Sequence, residues 1–275
     1  MCGNQFPRKV FQRPDIDGPL GRERVIPLFD SHCHLHDARL DGVRDEVVRR
    51  AVEAGVEGCV SCGTHPGDWD AVAALSATEG FEVRRAFGVH PWFADGLPTG
   101  WEDDLRSRLA RFHDAAVGEI GLDAIRPPAA DALPVLRRQL EIAAELGRPV
   151  VLHGAKALDE LLAEFRRFAG KIPSCVVHAF SGSREQLRNW LDAGAMISVG
   201  GTVCRSERLR ELATEIPPDR LLVETDSPDM LPPDGVPAIP GTRLNQPSNL
   251  PLVARAIETV VKSNVNKGIN HGTYS

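Results

Sequence analysis

The feature that most constrains this fold is a regular alternation of short apolar runs with longer amphipathic stretches. Short apolar runs bounded by turn residues are typical of buried strands, especially where β-branched residues are frequent. The pattern predicts eight strands, at Val25–Phe29, Val56–Cys62, Val83–Phe87, Ala115–Val117, Val150–Leu152, Cys175–Val177, Met196–Val199 and Leu221–Val223.

The stretches between these runs repeat their apolar residues at helical spacing. In Leu133–Leu146, for example, Leu136, Leu140 and Ala143 fall on one face, and Gly147 predicts the end of that helix. Further helices are predicted at Val43–Ala54, Leu158–Phe168, Arg184–Ala193 and Glu207–Ile216. Strands that alternate with helices indicate an α/β protein with a parallel sheet.

Eight such units in about 250 residues favour a single closed (β/α)₈ barrel of the TIM type, with a doubly wound open sheet as the alternative. We assign residues 25–262 to the barrel and the polar, aperiodic residues 1–24 to a flexible leader. The polar residues 263–275 are predicted to be a disordered tail without catalytic groups. Because a barrel carries its active groups at the C-terminal ends of its strands, polar residues after each predicted strand are candidates.

The first strand is followed by a His-x-His sequence, His32-Cys33-His34. Side chains two apart on a strand point to the same face, so both imidazoles are able to aim at one point. Two neutral imidazoles that converge on one point suit a divalent metal. Alone, the pair is equally compatible with two polar loop residues, and it becomes informative only if other strands end in matching ligands.

Matching ligands follow four later strands, namely Glu119, His153, His178 and Asp226. With His32 and His34 they form a ligand set for one or two divalent cations, with mixed imidazole and carboxylate ligation that suits Zn²⁺ or Mn²⁺ and tolerates Mg²⁺. Glu119 comes from a central strand and could bridge two ions. Asp226 could bind metal, accept the proton of an activated water, or do both.

Charge and terminal composition limit the classes of protein. The formal net charge is −6, which argues against a broadly basic nucleic-acid-binding surface but not against a local basic cleft. The leader lacks an apolar signal-peptide core, and its acids Asp15, Asp17 and Glu23 argue against organelle targeting. We therefore expect a soluble intracellular protein, cytoplasmic or nuclear, without a membrane-spanning segment.

Five segments together resemble the motifs of a known family: Phe29–His34, Gly88–Pro91, Val117–Asp123, His178–Gly182 and Glu224–Pro228. They are similar to those of the TatD family, metal-dependent deoxyribonucleases within the amidohydrolase-like barrel superfamily. The resemblance implies a TIM-type barrel, one or two divalent metals and hydrolysis of phosphodiester bonds in DNA. It also implies that the metal positions are His32, His34, Glu119, His153, His178 and Asp226. We predict that the carboxylates Asp226 and Glu119 are the catalytic residues.

Two further residues are predicted to bind substrate. His90 resembles a family position near the substrate, with a purely structural role as the alternative. Lys156 follows the fifth strand, after which similar proteins carry the arginine of a His-x-Arg sequence, so either Lys156 takes over the cationic role or the chain lacks this phosphate-binding group. A second departure is the polar, Gly- and Asn-rich sequence after Val261.

Three functions remain open at the level of sequence. The first is a metal-dependent nuclease that acts on DNA ends or single strands, which the resemblance favours. The second is a barrel hydrolase of a small-molecule amide or phosphate ester, which could use the same metals and suits the acidic net charge. The third is a weakly active binding protein, suggested by the two departures, although all six ligand types are present.

Overall fold

Eight parallel strands form one sheet in sequential order, as the alternation predicts. The computed structural model describes residues 27–126 and 131–259, so the predicted leader and the predicted tail lie outside the described residues. The strands are β1 Leu28–Cys33, β2 Val56–Cys62, β3 Glu82–Phe87, β4 Ala116–Asp123, β5 Val150–Ala155, β6 Cys175–Val177, β7 Met196–Val199 and β8 Leu221–Val223. Sequential order and contact between β1 and β8 confirm the (β/α)₈ barrel over the doubly wound sheet.

A helix follows every strand, and local sequence signals set the helix ends. The helices are α1 Arg44–Glu53, α2 Trp69–Ala74, α3 Trp101–Arg111, α4 Ala132–Leu146, α5 Leu158–Arg166, α6 Arg184–Asp192, α7 Glu207–Ala213 and α8, described over residues 250–259. Helix α4 begins where the Asp131 side chain accepts a hydrogen bond from the backbone of Leu133, and it ends at Gly147 with a left-handed φ of 59°. An αL glycine at this position closes a helix without the steric penalty of a side chain.

Three strands run farther than their apolar runs predict. β1 reaches Cys33, β4 reaches Asp123 and β5 reaches Ala155, so His32, Glu119 and His153 lie within strands rather than after them. The predicted ends were wrong because the polar residues there are buried or half-buried at the C-terminal end of the barrel. An apolar run does not predict the end of a strand that continues through polar residues, because such residues can be buried when they have hydrogen-bond partners.

Hydrogen bonds at the C-terminal end of the barrel join β1 to the segment that follows β8. The backbone N–H of Asp226 donates to His32 O at 3.0 Å, and that of His34 donates to Ser227 O at 2.6 Å. The buried Asp30 carboxylate accepts from the backbone N–H and the hydroxyl of Thr225 at 3.0 and 2.5 Å. These contacts fix the ends of the first and last strands against each other.

Burial on both faces of the sheet supplies the core. All eight residues of β4 are buried, and Trp190 of α6 packs on Phe165 of α5 with ring centroids 5.9 Å apart. Each fully buried large apolar side chain contributes about 1.5–3 kcal/mol relative to exposure. Within residues 27–126 and 131–259, no helix is both long and apolar enough to cross a membrane.

Candidate metal centre

Glu119 lies at the centre of the pocket, and its two oxygens face different histidines. Oε2 lies 3.4 Å from His32 Nε2 and 3.6 Å from His34 Nε2. Oε1 lies 2.8 Å from His178 Nε2 and 2.9 Å from His153 Nδ1. One buried carboxylate thus divides four imidazoles into two groups, which is the arrangement expected of a ligand that bridges two cations.

Asp226 completes the first of these groups. Its Oδ1 lies 3.5 Å from Nε2 of both His32 and His34. The Asp226 side chain is 19% exposed, whereas that of Glu119 is only 4% exposed. All six residues predicted as ligands therefore meet at the C-terminal end of the barrel, and Asp226 is the carboxylate that is more accessible to solvent.

His90 lies closer to this cluster than its predicted substrate role requires. Its Nε2 is 3.4 Å from Glu119 Oε1, and the residue is only 4% exposed. Ligand atoms of His90, Glu119 and His153 lie within 4.8 Å of one another, as do those of two further sets drawn from His32, His34, Glu119, His178 and Asp226. His90 is therefore close enough to act as an additional ligand.

Lys156 lies at the rim of the barrel rather than in the cluster. It directly follows β5, is exposed, and has a left-handed φ of 54°. Lys156 is three residues from His153 along the chain, but its exposed side chain is not part of the buried ligand set.

Three histidines have an acceptor on the ring nitrogen that faces away from Glu119. His34 Nδ1 lies 2.7 Å from Cys62 O, His153 Nε2 lies 3.2 Å from Asp123 Oδ2, and His178 Nδ1 lies 3.3 Å from Glu224 Oε1. This acceptor orients the ring and directs the other nitrogen's lone pair inward, as is usual for metal-binding histidines.

Asp123 and Glu224 were not predicted from the sequence to have this supporting role. Both are acids inside the motifs that carry Glu119 and Asp226, and that position is the signal that could have found them. A carboxylate four residues after Glu119 or two before Asp226 emerges at the same end of the barrel, next to the histidines.

His32 tests whether this set of donors fits a metal. Both of its ring nitrogens are buried without a hydrogen-bond partner, and its ring stacks on that of His178 with centroids 3.9 Å apart. A buried polar atom without a partner costs about 1–3 kcal/mol. A divalent cation would satisfy Nε2, so the residues present fit the group that the ligand types predict.

The pocket holds strongly coupled charges. Burial alone would raise the pKa of Glu119, but the imidazoles, led by His178, hold it well below its usual range. Burial likewise opposes ionisation of Asp226, and the interaction with His34 nevertheless keeps its pKa below the usual value. Burial lowers the pKa of His34, but Asp226 and Glu119 outweigh it and raise that pKa to about 9. Positive charge on the surrounding imidazoles therefore keeps both carboxylates anionic.

The next histidine in the alternation, His36, belongs to a separate network. Its Nδ1 lies 3.1 Å from Ser61 Oγ, and its Nε2 lies 3.5 Å from Asp68 Oδ2. Both of its nitrogens therefore face protein partners outside the Glu119 cluster.

Comparison with known proteins decides the family. The family model described as TatD related DNase matches residues 29–269, which includes every candidate ligand. The chain belongs to the TatD related DNase family. The chain is 36% identical over 239 residues to the 3′-5′ ssDNA/RNA exonuclease TatD of Erwinia billingiae (strain Eb661), a match that covers 84% of this chain and 90% of that protein.

Other relatives of this TatD-family chain agree in length and fold. The 3′-5′ ssDNA/RNA exonuclease TatD of Klebsiella pneumoniae (strain 342) is 36% identical over 238 residues, which is 84% of this chain and 89% of the relative. The crystal structure of the TatD homolog YJJV from Escherichia coli superposes with a TM-score of 0.74 at 29% identity, over 85% of this chain and 90% of that one.

Proposed function

We propose that this chain is a metal-dependent nuclease that hydrolyses phosphodiester bonds in nucleic acid, with single-stranded DNA as its substrate. The observation that carries the proposal is Glu119, whose two oxygens face two separate groups of imidazoles. Family membership supplies the reaction class, and the names of the relatives supply the preference for single strands and 3′ ends.

The ligand groups assign the metal-binding roles. His32, His34 and Asp226, together with Glu119, would hold one divalent cation. His153 and His178, also together with Glu119, would hold a second, and His90 is close enough to join them. A bound divalent cation supplies polarisation of a phosphoryl oxygen and lowers the pKa of a water molecule towards neutrality.

Asp226 is the residue best placed to accept a proton from the attacking water. It is anionic at neutral pH, and its side chain is more exposed than that of Glu119. Its Oδ1 lies 3.5 Å from Nε2 of His34, next to the first group of ligands. Asp123 and Glu224 orient the histidines of the second group, because each accepts from the outward ring nitrogen.

Local cations reconcile the acidic net charge with an anionic substrate. Lys156 and Arg126 are exposed after β5 and β4, at the end of the barrel that carries the pocket. Arg208 adds a third cation there, since its guanidinium donates to the carbonyls of Ser181 and Gly182 in the loop after β6. These side chains supply the local phosphate contacts on which nucleic-acid binding depends.

The test uses the full-length chain, stripped with a chelator and reloaded with Mg²⁺, Mn²⁺ or Zn²⁺. Each form is incubated with 5′-labelled single-stranded DNA, single-stranded RNA and duplex DNA. We expect metal-dependent shortening of the single-stranded DNA from its 3′ end and its loss on renewed chelation. Glu119→Gln removes the shared charge at nearly constant volume, and Asp219→Asn, a change at an 80% exposed carboxylate before β8, is the matched control.

Two results would overturn the proposal. One is a chain that binds metal but hydrolyses no nucleic acid with any of the three ions. The other is an activity that Glu119→Gln leaves at the level of the Asp219→Asn control. Hydrolysis of small phosphate esters or cyclic amides in the absence of nuclease activity would instead support a small-molecule hydrolase.

A further inference from the structure

Two exposed aromatic residues border the candidate metal pocket. Trp92 and Phe93 lie in the 3₁₀ turn Pro91–Phe93, directly after His90, and are 42% and 39% exposed. Exposed aromatic side chains beside a polar pocket offer flat apolar faces to a ligand.

The Trp92 ring is held against the metal pocket. Its Nε1 donates to Asp123 Oδ2 at 2.7 Å, and the same oxygen lies 3.2 Å from His153 Nε2. The ring centroids of His90 and His153 lie 4.7 and 6.3 Å from that of Trp92. The indole is therefore a preorganised surface directly beside the candidate metal pocket.

Arg126 extends this surface and adds charge. Its guanidinium lies over the Trp92 ring, 4.4 Å from the centroid, and the residue is exposed. Guanidinium planes stack on nucleobases as well as on indoles, and they also pair with phosphates. Beside them, Phe93 stacks on His65 with centroids 4.5 Å apart, which stiffens the neighbouring part of the rim.

We propose that Trp92 and Arg126 form a stacking platform for an unpaired nucleobase of the strand whose phosphodiester enters the pocket. The proposal rests on the proposed nuclease function and adds to it the part of the substrate that is recognised. An indole stacks on any base, so the platform accepts every sequence, but it requires a base that is not paired in a duplex. It thus gives a physical reason for a preference for single strands.

The test compares two single-stranded DNA oligonucleotides that differ only at the last two 3′ nucleotides. One carries natural bases there, and the other carries tetrahydrofuran abasic residues. The measured quantity is the base preference, the ratio of kcat/KM on the natural substrate to kcat/KM on the abasic one. We expect Trp92→Leu to lower this ratio by about 5- to 150-fold, the range for loss of one base–aromatic stack.

Trp92→Phe is the matched variant. Both substitutions remove the hydrogen bond to Asp123, but only phenylalanine keeps an aromatic face. We expect Trp92→Phe to retain most of the base preference, and Arg126→Lys, which keeps charge without a planar group, to lower it. Equal base preferences in wild type, Trp92→Leu and Trp92→Phe would overturn the proposal. A similar fall in both Trp92 variants on both substrates would assign Trp92 to positioning through Asp123 instead.

A binding measurement separates this proposal from the nuclease function. Fluorescence of 2-aminopurine at the 3′ end is quenched by stacking, and it reports the platform without turnover. We expect quenching by wild type and Trp92→Phe, and none by Trp92→Leu, with urea unfolding midpoints used to verify folding. If wild type binds with quenching but hydrolyses neither substrate, the nuclease function fails and the platform stands. If it hydrolyses both substrates and Trp92→Leu quenches like wild type, only the platform fails.

Discussion

Gly121→Ala is expected to separate β4 from β5 beside the metal pocket. Gly121 pairs with His153 across these strands. A Cβ at this position would overlap the carbonyl oxygen of His153 and lie 2.8 and 2.9 Å from its carbonyl carbon and its nitrogen. Carbon atoms normally approach to about 3.5–4.0 Å, so the two backbones would have to part by roughly 1 Å.

The loss in free energy of unfolding depends on whether side chains or backbone must move to make room for the added Cβ. Overpacking costs about 1–3 kcal/mol when side chains can adjust. Here the obstacle is backbone, and a strained ladder hydrogen bond adds about 1 kcal/mol, so we expect a loss of about 3 kcal/mol or more. For a chain of this size that corresponds to a fall of roughly 6–12 °C in Tm.

Measuring metal affinity as well as stability makes the prediction specific to the candidate metal pocket. Displacement of His153 is expected to weaken metal binding about 10- to 100-fold, as other losses of ligand orientation do. The assay is urea unfolding of the chelated and the metal-loaded protein, because the difference reports the affinity of the folded state. Gly170→Ala is the control, since Gly170 also has a positive φ, of 76°, but no neighbouring atom within 4 Å of an added Cβ.

The reasoning would be refuted if Gly121→Ala lost no more stability than Gly170→Ala. Stability lost without any change in metal affinity would show that the strands separate while His153 keeps its position. In that case the pairing of β4 with β5 would matter for folding alone.

Three further predictions concern single carboxylates. Asp226→Asn is expected to lower kcat for DNA hydrolysis by about 10²–10⁴-fold, as loss of a general base does, while Asp219→Asn leaves it unchanged in the same steady-state assay. Asp123→Asn is expected to weaken metal binding about 10- to 100-fold by calorimetry, because it removes the anion that orients one histidine ligand. The hydrogen bond from Arg137 is the main reason that the pKa of Glu164 falls from 4.5 to about 2. Since the folded-state pKa is the lower one, its stabilisation is fully present above pH 4.5 and is lost as pH falls through about 2. Glu164→Gln is therefore expected to cost about 1 kcal/mol in urea unfolding at pH 7, after allowance for solvent screening, and little below about pH 2.

The repeating hydropathy pattern was sufficient to predict the barrel, because both faces of every strand are covered. β2, β6, β7 and β8 have the predicted bounds, and β3 begins one residue earlier than predicted. β1, β4 and β5 extend beyond their predicted ends because the polar residues there, such as Asp30, Glu119 and His153, have partners from distant segments of the chain. Such partners are separated widely in sequence, so a local pattern carries no sign of them.

For the candidate site, too, the sequence predicted which residues are involved but not the contacts between distant segments. Ligand types after successive strands predicted which side chains would meet, and the structure places them together. What the sequence does not contain is their relative orientation. The division of Glu119 between two groups, the approach of His90 and the support from Glu224 all depend on which ring nitrogen faces which oxygen. These are properties of the closed barrel rather than of any segment.

The junction of β1 with β8 also has a consequence for synthesis on the ribosome. His32 and His34 emerge with the first strand, whereas Asp226 follows the last one and its backbone bonds to His32 O. Contacts between such distant parts of a chain are slow to form. In the proposed metal site, a nascent chain that has not yet extruded β8 would hold the two imidazoles without the carboxylate. Full metal affinity would therefore arise only after Asp226 has left the ribosome.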